Sequence, residues 1–357
     1  MPPYHILVIN PGSTSTKVAV YEDERPLCVS TIRHTPDELA AYAQIIDQHD
    51  FRRQLVTDWL AQNNIPLRFD AIIGRGGLIK PIPGGVYRVN RKMCFETYYA
   101  LRKHACNLGC ILAYELAKEQ GGGCQAYIAD PVTVDELVPE ARVSGSPLMP
   151  RLAIWHALNQ RAIARRYARQ VGCSYSDLNL IVCHLGGGIS VAAHEHGRAV
   201  DANNALDGEG PLSPERAGTL PAADLIHLCY SGRYTEEQLK KRVAGQAGLM
   251  AHLGTTDILQ IMQMIEQGNE RARLLINAMI FHTAKQIAAE GAVLCGRVDA
   301  ILLTGGMAHS AYITEGIKRR VSYLAPVHVF PGEDEMEALA LNALAVLRGE
   351  CQAKEYE

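Results

Sequence analysis

The sequence predicts an α/β protein with two domains of the same plan and a cleft between them. Its 357 residues correspond to about two domains of roughly 150 residues each. In each half, an apolar β-branched strand breaks at a glycine-containing turn, resumes as a second strand and is followed by a third. Helices and strands then alternate, which is typical of an open α/β sheet with helices packed on it.

The first half begins with a meander of three strands, at His5–Asn10, Lys17–Tyr21 and Leu27–Arg33. Thr35 is the predicted N-cap of the next helix, because Pro36 follows at the first helical position and Glu38 stands three residues after the cap. Later elements are a strand over 69–73, helical sequence over much of 94–119 and a short strand over 127–129.

The second half repeats this order. A helix is predicted over 151–170, and strands over 178–183 and 189–193 flank a glycine turn. The remaining elements are a third strand from Gly197, a helix over 270–294, strands over 300–303 and 327–330, and a helix over 334–347. No Pro- or Ser-rich linker divides the halves, and the predicted domains are 1–150 with 333–357, and 151–332.

Composition excludes several classes of protein. Apolar residues make up 48% and charged residues 20%, as in an ordinary folded protein. The formal charge of −3 offers no global excess of positive charge to hold nucleic acid. No apolar run reaches the roughly 18–20 residues that span a bilayer, and no signal peptide is expected. The 10 cysteines include no CxxC pair, so we expect free thiols in a reducing cytoplasm rather than a zinc site.

Three glycine-rich turns each follow an apolar strand. They are NPGSTSTK at 10–17, HLGGG at 184–188 and TGG at 304–306. Such turns aim backbone N–H groups at one point, and glycine lets a phosphate approach closely. One turn alone is better explained by a tight hairpin, whereas three at strand ends favour a nucleotide. None fits the patterns of a P-loop or a Rossmann dinucleotide site.

These turns resemble the two phosphate motifs and the adenosine motif of the acetate-and-sugar-kinase, Hsp70 and actin superfamily. An ordered set of further motifs is similar to the acetokinase family. The set comprises Gly74–Gly77, His104 with Asn107–Gly109, Ala129–Asp130, Glu209–Gly210, Arg216–Gly218 and Pro331–Glu337. The resemblance extends from about residue 5 to residue 348, and each motif alone is loose, whereas the ordered set is specific.

The resemblance implies two ribonuclease-H-like domains, each a βββαβαβα core, around a cleft for ATP and substrate. The N-terminal domain would bind the acid and the C-terminal domain the nucleotide. The implied reaction is butyrate + ATP = butyryl phosphate + ADP, with Mg²⁺ or Mn²⁺ as cofactor and ATP as co-substrate. The resemblance also implies a homo-oligomer, a dimer or higher, with no nucleic-acid or membrane partner.

A carboxylate acceptor with a pKa of about 4–5 is already ionised at neutral pH, so the reaction needs no general base. It needs positive charge, hydrogen-bond donors and a metal ion, because an anion must approach a polyanion. By resemblance, the catalytic residues are Arg75, Asp130, His156 and Arg216. The resemblance assigns ATP phosphates to Asn10, Ser13, Ser15, Lys17, His184, Gly186, Gly187 and Gly188, and adenosine to Gly305, Gly306 and Met307.

The resemblance also assigns the metal to Asn10 and Glu335, with Glu333 and Glu337 as alternatives in the same acidic turn. The acyl pocket would be formed by Gly76, Gly77 and Trp155. Acetate kinases have two valines where the two glycines stand. Removing both side chains leaves roughly 100 Å³, enough for two to three methylene groups, which favours butyrate or branched acids over acetate.

Two departures from the acetate-kinase pattern are Gly187 in place of Asn and Gln160 in place of His. The alternatives within the family are kinases of branched-chain acids, propionate or acetate. The alternative from another class is an ATP-binding regulatory protein with an inactive acceptor site. The presence of both Arg75 and Arg216 argues against that alternative.

Overall fold

A computed structural model describes residues 2–100 and 103–357. Its strands are β1 (His5–Pro11), β2 (Ser15–Glu22), β3 (Arg25–Arg33), β4 (Ala71–Arg75), β5 (Val86–Arg88), β6 (Gln125–Ala129), β7 (Asn179–Leu185), β8 (Ile189–Glu195), β9 (Arg198–Ala202), β10 (Ala300–Gly305) and β11 (Val327–Pro331). Its helices are α1 (Pro36–Ala40), α2 (His49–Gln62), α3 (Arg91–Tyr98), α4 (Asn107–Gln120), α5 (Pro139–Arg142), α6 (Ala157–Val171), α7 (Ala222–Cys229), α8 (Glu236–Val243), α9 (Gly248–Leu253), α10 (Ile258–Glu266), α11 (Glu270–Val293), α12 (Ala311–Val321) and α13 (Glu335–Leu347).

The described chain divides into two compact units. The first contains the residues up to Val134 together with Asp334–Glu357, and the second contains Asp135–Glu333. The division lies before the expected boundary at 150, because the intervening segment is bonded to the second unit. Its Val138 N–H donates to the Val200 carbonyl at 2.9 Å, and Glu136 lies 3.1 Å from Arg161.

The sheet of the first unit has the order β3-β2-β1-β4-β6-β5. Strands β1, β2 and β3 pair antiparallel as a meander, whereas β4 pairs parallel to β1 and β6 pairs parallel to β4. The apolar run Ile6–Ile9 of β1 has no exposed surface, as its position in the centre of the sheet requires.

The sheet of the second unit repeats this plan, with the order β11-β10-β7-β8-β9. Strands β7, β8 and β9 form the antiparallel meander, and β10 pairs parallel to β7, as β4 does to β1. The duplicated α/β plan predicted from the sequence is therefore confirmed. No helix in the described ranges is both long and apolar enough to cross a membrane.

The predicted capping box at the start of α1 is confirmed, because Thr35 Oγ1 accepts from the Glu38 N–H and the Glu38 carboxylate accepts from the Thr35 N–H. The helical sequence predicted over much of 94–119 is confirmed, and it forms two helices. The segment contains the end of α3 and most of α4, and residues 101 and 102 of the prediction lie outside the described residues. At the start of α4, Gly109 packs closely against the backbone of Arg75 at the end of β4, and Asn107 packs against Gly77.

The helix predicted from 151 begins later, at Ala157. Residues 151–156 are held by contacts elsewhere in the second unit instead. The Ile154 carbonyl accepts from the Ala205 N–H at 2.9 Å, and Arg151 lies 2.6 Å from Glu209. This later start leaves His156 at the N-cap position of α6.

Candidate functional site

The turn after β1 and the start of β2 together carry three predicted phosphate ligands, Ser13, Ser15 and Lys17. The Gly12 N–H donates to the Ser15 carbonyl at 2.7 Å and closes the turn. Ser13 and Lys17 are exposed, and Ser15 is half-buried. The turn therefore presents hydroxyl groups and a positive charge on one edge of the sheet, which suits an anionic ligand.

The side chain of Arg52 in α2 forms hydrogen bonds to the residues that follow this turn. The sequence interpretation did not identify Arg52. Its side chain is fully buried, and Nη1 donates to the Ser15 carbonyl at 3.1 Å and to Thr16 Oγ1 at 3.0 Å. Its remaining bonds go to Gln48 Oε1, so its acceptors within the described residues are all neutral. Burial lowers the pKa of Arg52 to about 10, which leaves it charged at neutral pH.

A sequence signal for Arg52 exists in retrospect. It stands in line with Val56, Trp59 and Leu60, which form the buried stripe of α2 at helical spacing. An arginine within an apolar stripe needs buried acceptors, because burying an unpaired charge is costly. Which acceptors these are depends on a turn that is distant in the sequence.

Asn10, Arg75 and Glu335 meet in the first unit. Asn10 Nδ2 donates to Glu335 Oε2 at 2.8 Å, and Arg75 Nη1 forms an ion pair with Glu335 Oε1. The Arg75 side chain is 9% exposed and that of Glu335 18%. The ends of β1 and β4 and the first turn of α13 thus place an amide, a guanidinium and a carboxylate at one edge of the sheet.

The two glycines after Arg75 do not leave an open volume. A Cβ on Gly77 would lie 2.6 Å from the Asn107 Cα, and one on Gly76 would lie 2.8 Å from the Pro131 Cβ. The expectation of roughly 100 Å³ of free space beside Arg75 is therefore wrong, because α4 and the Pro131 turn occupy it. The size of the space at Gly76 and Gly77 therefore no longer supports placing an acyl chain there.

Trp155, the third predicted acyl-pocket residue, is 2% exposed. Its ring packs edge-on against His194 with centroids 5.5 Å apart.

Asp130 is fully buried with φ of 38°, a left-handed conformation that aspartate tolerates better than most residues. Its Oδ1 accepts from the Gly85 N–H at 2.7 Å, so Asp130 fixes the segment just before β5.

In the second unit, His156 and His184 stack with ring centroids 3.8 Å apart and planes at 11°. His184 lies near the end of β7, and its Nδ1 is 2.8 Å from Asn159 Oδ1. Its Nε2 lies 3.0 Å from Glu333 Oε1. Of the three acidic residues considered for the metal, Glu333 therefore lies beside His184 in the second unit, whereas Glu335 lies on Asn10 in the first.

The glycine turn at 186–188 is tied to the loop that carries Arg216. Ser213 Oγ donates to the Gly187 carbonyl at 2.7 Å, and the Glu215 N–H donates to the same carbonyl at 3.0 Å. Arg216 Nη1 lies 3.1 Å from Glu215 Oε2, and its buried Nε has no hydrogen-bond partner among the described residues. A buried donor without an acceptor is suited to an anionic ligand.

A cavity of about 300 Å³ in the second unit brings together four of the predicted nucleotide residues. These are Gly186 and Gly187 from the turn after β7, and Gly306 and Met307 from the turn after β10. The third adenosine residue, Gly305, has φ of 93°, and a Cβ there would lie 2.4 Å from the Leu185 carbonyl oxygen, so the two turns leave no room for a side chain at this position. The cavity wall also includes Glu215 and residues 256–259, which the sequence interpretation did not identify.

Two α/β units of the same plan, each with glycine turns at its strand ends, define the class of proteins with a sugar-kinase-like fold. A family model described as the acetokinase family matches residues 153–328. The chain is 62% identical to a "probable butyrate kinase" of Bacteroides thetaiotaomicron over 99% of both chains, and 48% identical to "butyrate kinase 2" of Clostridium acetobutylicum over 99% of both. The chain belongs to the acetokinase family.

Solved structures agree on the fold. An acetate kinase of Porphyromonas gingivalis matches with a TM-score of 0.79 at 17% identity, covering 96% of this chain and 100% of that one. A propionate kinase of Francisella tularensis matches with a TM-score of 0.74 at 17% identity, covering 95% and 98%. At this identity the likeness concerns the fold alone.

Proposed function

We propose that this chain transfers the γ-phosphoryl group of ATP to a short-chain carboxylate, in the reaction butyrate + ATP = butyryl phosphate + ADP. The observation that carries the proposal is the Arg75 guanidinium, nearly buried beside Glu335 and Asn10. The 62% identity to a probable butyrate kinase supports butyrate as the acceptor.

Arg75 holds the acceptor carboxylate in this proposal. A guanidinium stays charged at neutral pH and donates two parallel hydrogen bonds to a carboxylate. The acceptor needs no proton removed, so the residues present are those that the chemistry requires: cations and donors rather than a general base. Asp130 fixes the segment just before β5, which lies in the same sheet as the strand that ends in Arg75.

Arg216 and His156 bind the transferring phosphoryl group, and the glycine turns bind the rest of the nucleotide. The Arg216 Nε without a partner supplies a donor for a phosphoryl oxygen. His156 donates to an equatorial oxygen that gains charge in the transition state. Ser13, Ser15, Lys17, His184 and Gly186–Gly188 bind phosphates, and Gly305–Met307 bind adenosine.

Asn10 and Glu335 fit a magnesium ion that arrives with the nucleotide. Mg²⁺ in nucleotide sites is typically held by one or two protein oxygen ligands, phosphates and waters. The structure offers one carboxylate and one amide here. The described residues contain no cluster of three or more His, Cys, Asp or Glu side chains that could hold a metal without a nucleotide. When bound, the ion would neutralise phosphate charge.

Glu335→Gln is expected to raise the Mg²⁺ concentration for half-maximal activity about tenfold, because it removes the carboxylate charge and keeps the size of the side chain. Mg²⁺ and Mn²⁺ titrations of the initial rate measure the effect. Glu337→Gln, in the same helical turn, tests the alternative ligand, and an effect there without one in Glu335→Gln would move the metal assignment to Glu337. Full activity in excess EDTA, or an effect in Glu333→Gln without one in Glu335→Gln, would contradict the assignment.

Arg52→Met is expected to raise the KM for ATP about tenfold, because the turn loses a positive charge from beneath its phosphate-binding edge. The neighbouring Arg53→Met is the matched control, since Arg53 forms an ion pair with Glu119 at the surface. Thermal unfolding of both variants separates this effect from a loss of fold. An unchanged KM in a folded Arg52→Met variant would remove Arg52 from phosphate binding.

The proposal is tested by ATP-dependent formation of acyl phosphate, trapped with hydroxylamine, over a series of acids from C2 to C6 and their branched isomers. The expected result is a kcat/KM maximum at butyrate. A maximum at acetate, propionate or a branched acid would assign the chain to another specificity in the family. ATP binding without any acyl phosphate would instead favour a regulatory protein.

A further inference from the structure

A chain of hydrogen bonds connects Tyr175 with His156 inside the second unit. The Tyr175 hydroxyl is 2.5 Å from His194 Nδ1, and His194 Nε2 is 3.2 Å from Gln160 Oε1. Gln160 Nε2 is 2.8 Å from Ser190 Oγ, which is 2.8 Å from His156 Nδ1. The three inner residues have no exposed surface. Because these polar groups are shielded from water, a donor or acceptor left without a hydrogen-bond partner would cost free energy of folding.

The Ser190 carbonyl fixes the orientation of the Gln160 amide. Gln160 Nε2 lies 3.1 Å from that carbonyl oxygen, which can only accept. The amide nitrogen therefore faces Ser190, and Oε1 faces His194. Since an amide oxygen can only accept, the proton of the His194 ring lies on Nε2.

His194 is neutral at pH 7. Burial, together with the charges of Arg161 and Arg165, lowers the pKa of His194 to about 3. With one proton on Nε2, His194 Nδ1 accepts from the Tyr175 hydroxyl. Both nitrogens of this ring are thereby assigned, and the direction of donation along the chain is set.

The hydrogen bonds of Ser190 determine which nitrogen of His156 carries the proton. Ser190 Oγ accepts from Gln160 Nε2 and, at 3.3 Å, from the His156 backbone N–H. A hydroxyl group has two acceptor positions and one hydrogen, so the hydrogen of Ser190 remains for His156 Nδ1. Any other arrangement leaves a fully buried hydroxyl hydrogen without an acceptor.

We infer that Ser190 and Gln160 are positioning residues that hold His156 in the neutral tautomer with its proton on Nε2. A neutral imidazole has one proton, so Nε2 donates only while Nδ1 accepts. The catalytic consequence rests on the proposed function, in which His156 donates to a phosphoryl oxygen. Gln160 is suited to this position because one amide supplies both a donor for Ser190 and an acceptor for His194.

Nitrogen NMR of the ¹⁵N-histidine-labelled protein without substrates tests the tautomer. The His156 signals are assigned by their loss in His156→Gln. The expected result is a protonated Nε2 and an unprotonated Nδ1 in the unmodified chain. In Ser190→Ala, the chemical shifts of His156 Nδ1 and Nε2 should move towards each other, because the ring then exchanges between its two neutral tautomers. A proton on His156 Nδ1 in the unmodified chain would overturn the inference.

Kinetics test the consequence. Ser190→Ala and Gln160→Leu are expected to lower kcat about tenfold, with the KM values for ATP and butyrate within about twofold, and Ser190→Thr, which keeps the hydroxyl, should restore most of kcat. Thr283→Val is the matched control. The buried Thr283 hydroxyl donates to the Met279 carbonyl within α11 and takes no part in the hydrogen bonds between Tyr175 and His156.

The NMR result does not depend on the reaction, so the proposed function and the proposed tautomer of His156 can be refuted independently of each other. Absence of acyl phosphate with the unmodified chain would refute the proposed function and leave the tautomer measurement standing. A folded Ser190→Ala variant with unchanged kcat and an unchanged tautomer would refute the positioning role of Ser190.

Discussion

Arg75→Ala is expected to lower kcat by at least about 10²-fold, because it removes a nearly buried charge that grips the acceptor. The variant also leaves Glu335 without its cationic partner in a poorly solvated position, which adds repulsion towards two anionic substrates. Steady-state rates of acyl phosphate formation measure the loss. Thermal unfolding shows whether the chain remains folded.

Two further variants define the role of Arg75. Arg75→Lys should restore little activity, since an ammonium group lacks the planar fork that binds a carboxylate through two bonds. Arg88→Ala is the matched control, because Arg88 lies in the same unit and pairs with Glu355 at the surface, 3.0 Å away. Near-normal kcat in a folded Arg75→Ala variant would exclude Arg75 from the reaction.

Gly77→Val is expected to lower the melting temperature by roughly 2–12 °C, rather than to narrow an acyl pocket. A side chain there would overlap the Asn107 backbone, and overpacking a buried contact costs about 1–3 kcal/mol or more. Gly145→Val is the control, since no atom lies within 4 Å of a Cβ at that position.

The acid series measured on the same variant separates the two interpretations of Gly77. A folded, stable Gly77→Val chain with a lower butyrate-to-acetate ratio would support an acyl pocket at this glycine and would contradict the packing account. Gly77→Ala should show a smaller loss of stability in the same direction, because only the Cβ is added.

The strands and the glycine turns could be predicted because their signals are local. Apolar runs of strand length broken by glycine mark β1, β4, β7 and β10, and the ends of these strands carry most of the predicted site residues. The Thr35–Glu38 capping box is equally local. The helical sequence over much of 94–119 is also a local signal, and it corresponds to the end of α3 and most of α4.

The remaining features depend on neighbours that are distant in the sequence. Arg52 supports Ser15 from 37 positions away, and Ser190 bonds to His156 across 34 positions. The packing of Gly77 on Asn107 likewise requires two elements to be placed in space, so a missing side chain in the sequence does not imply a missing volume. Periodicity reports which face is buried but not which groups meet there.

The most direct test of the central proposal is ³¹P NMR of the purified chain with MgATP and butyrate. We expect an acyl phosphate signal that grows in step with ADP, disappears in Arg75→Ala and does not form without the acid. Release of ADP with inorganic phosphate as the only other phosphorus product, at a rate independent of butyrate, would contradict phosphoryl transfer to a carboxylate.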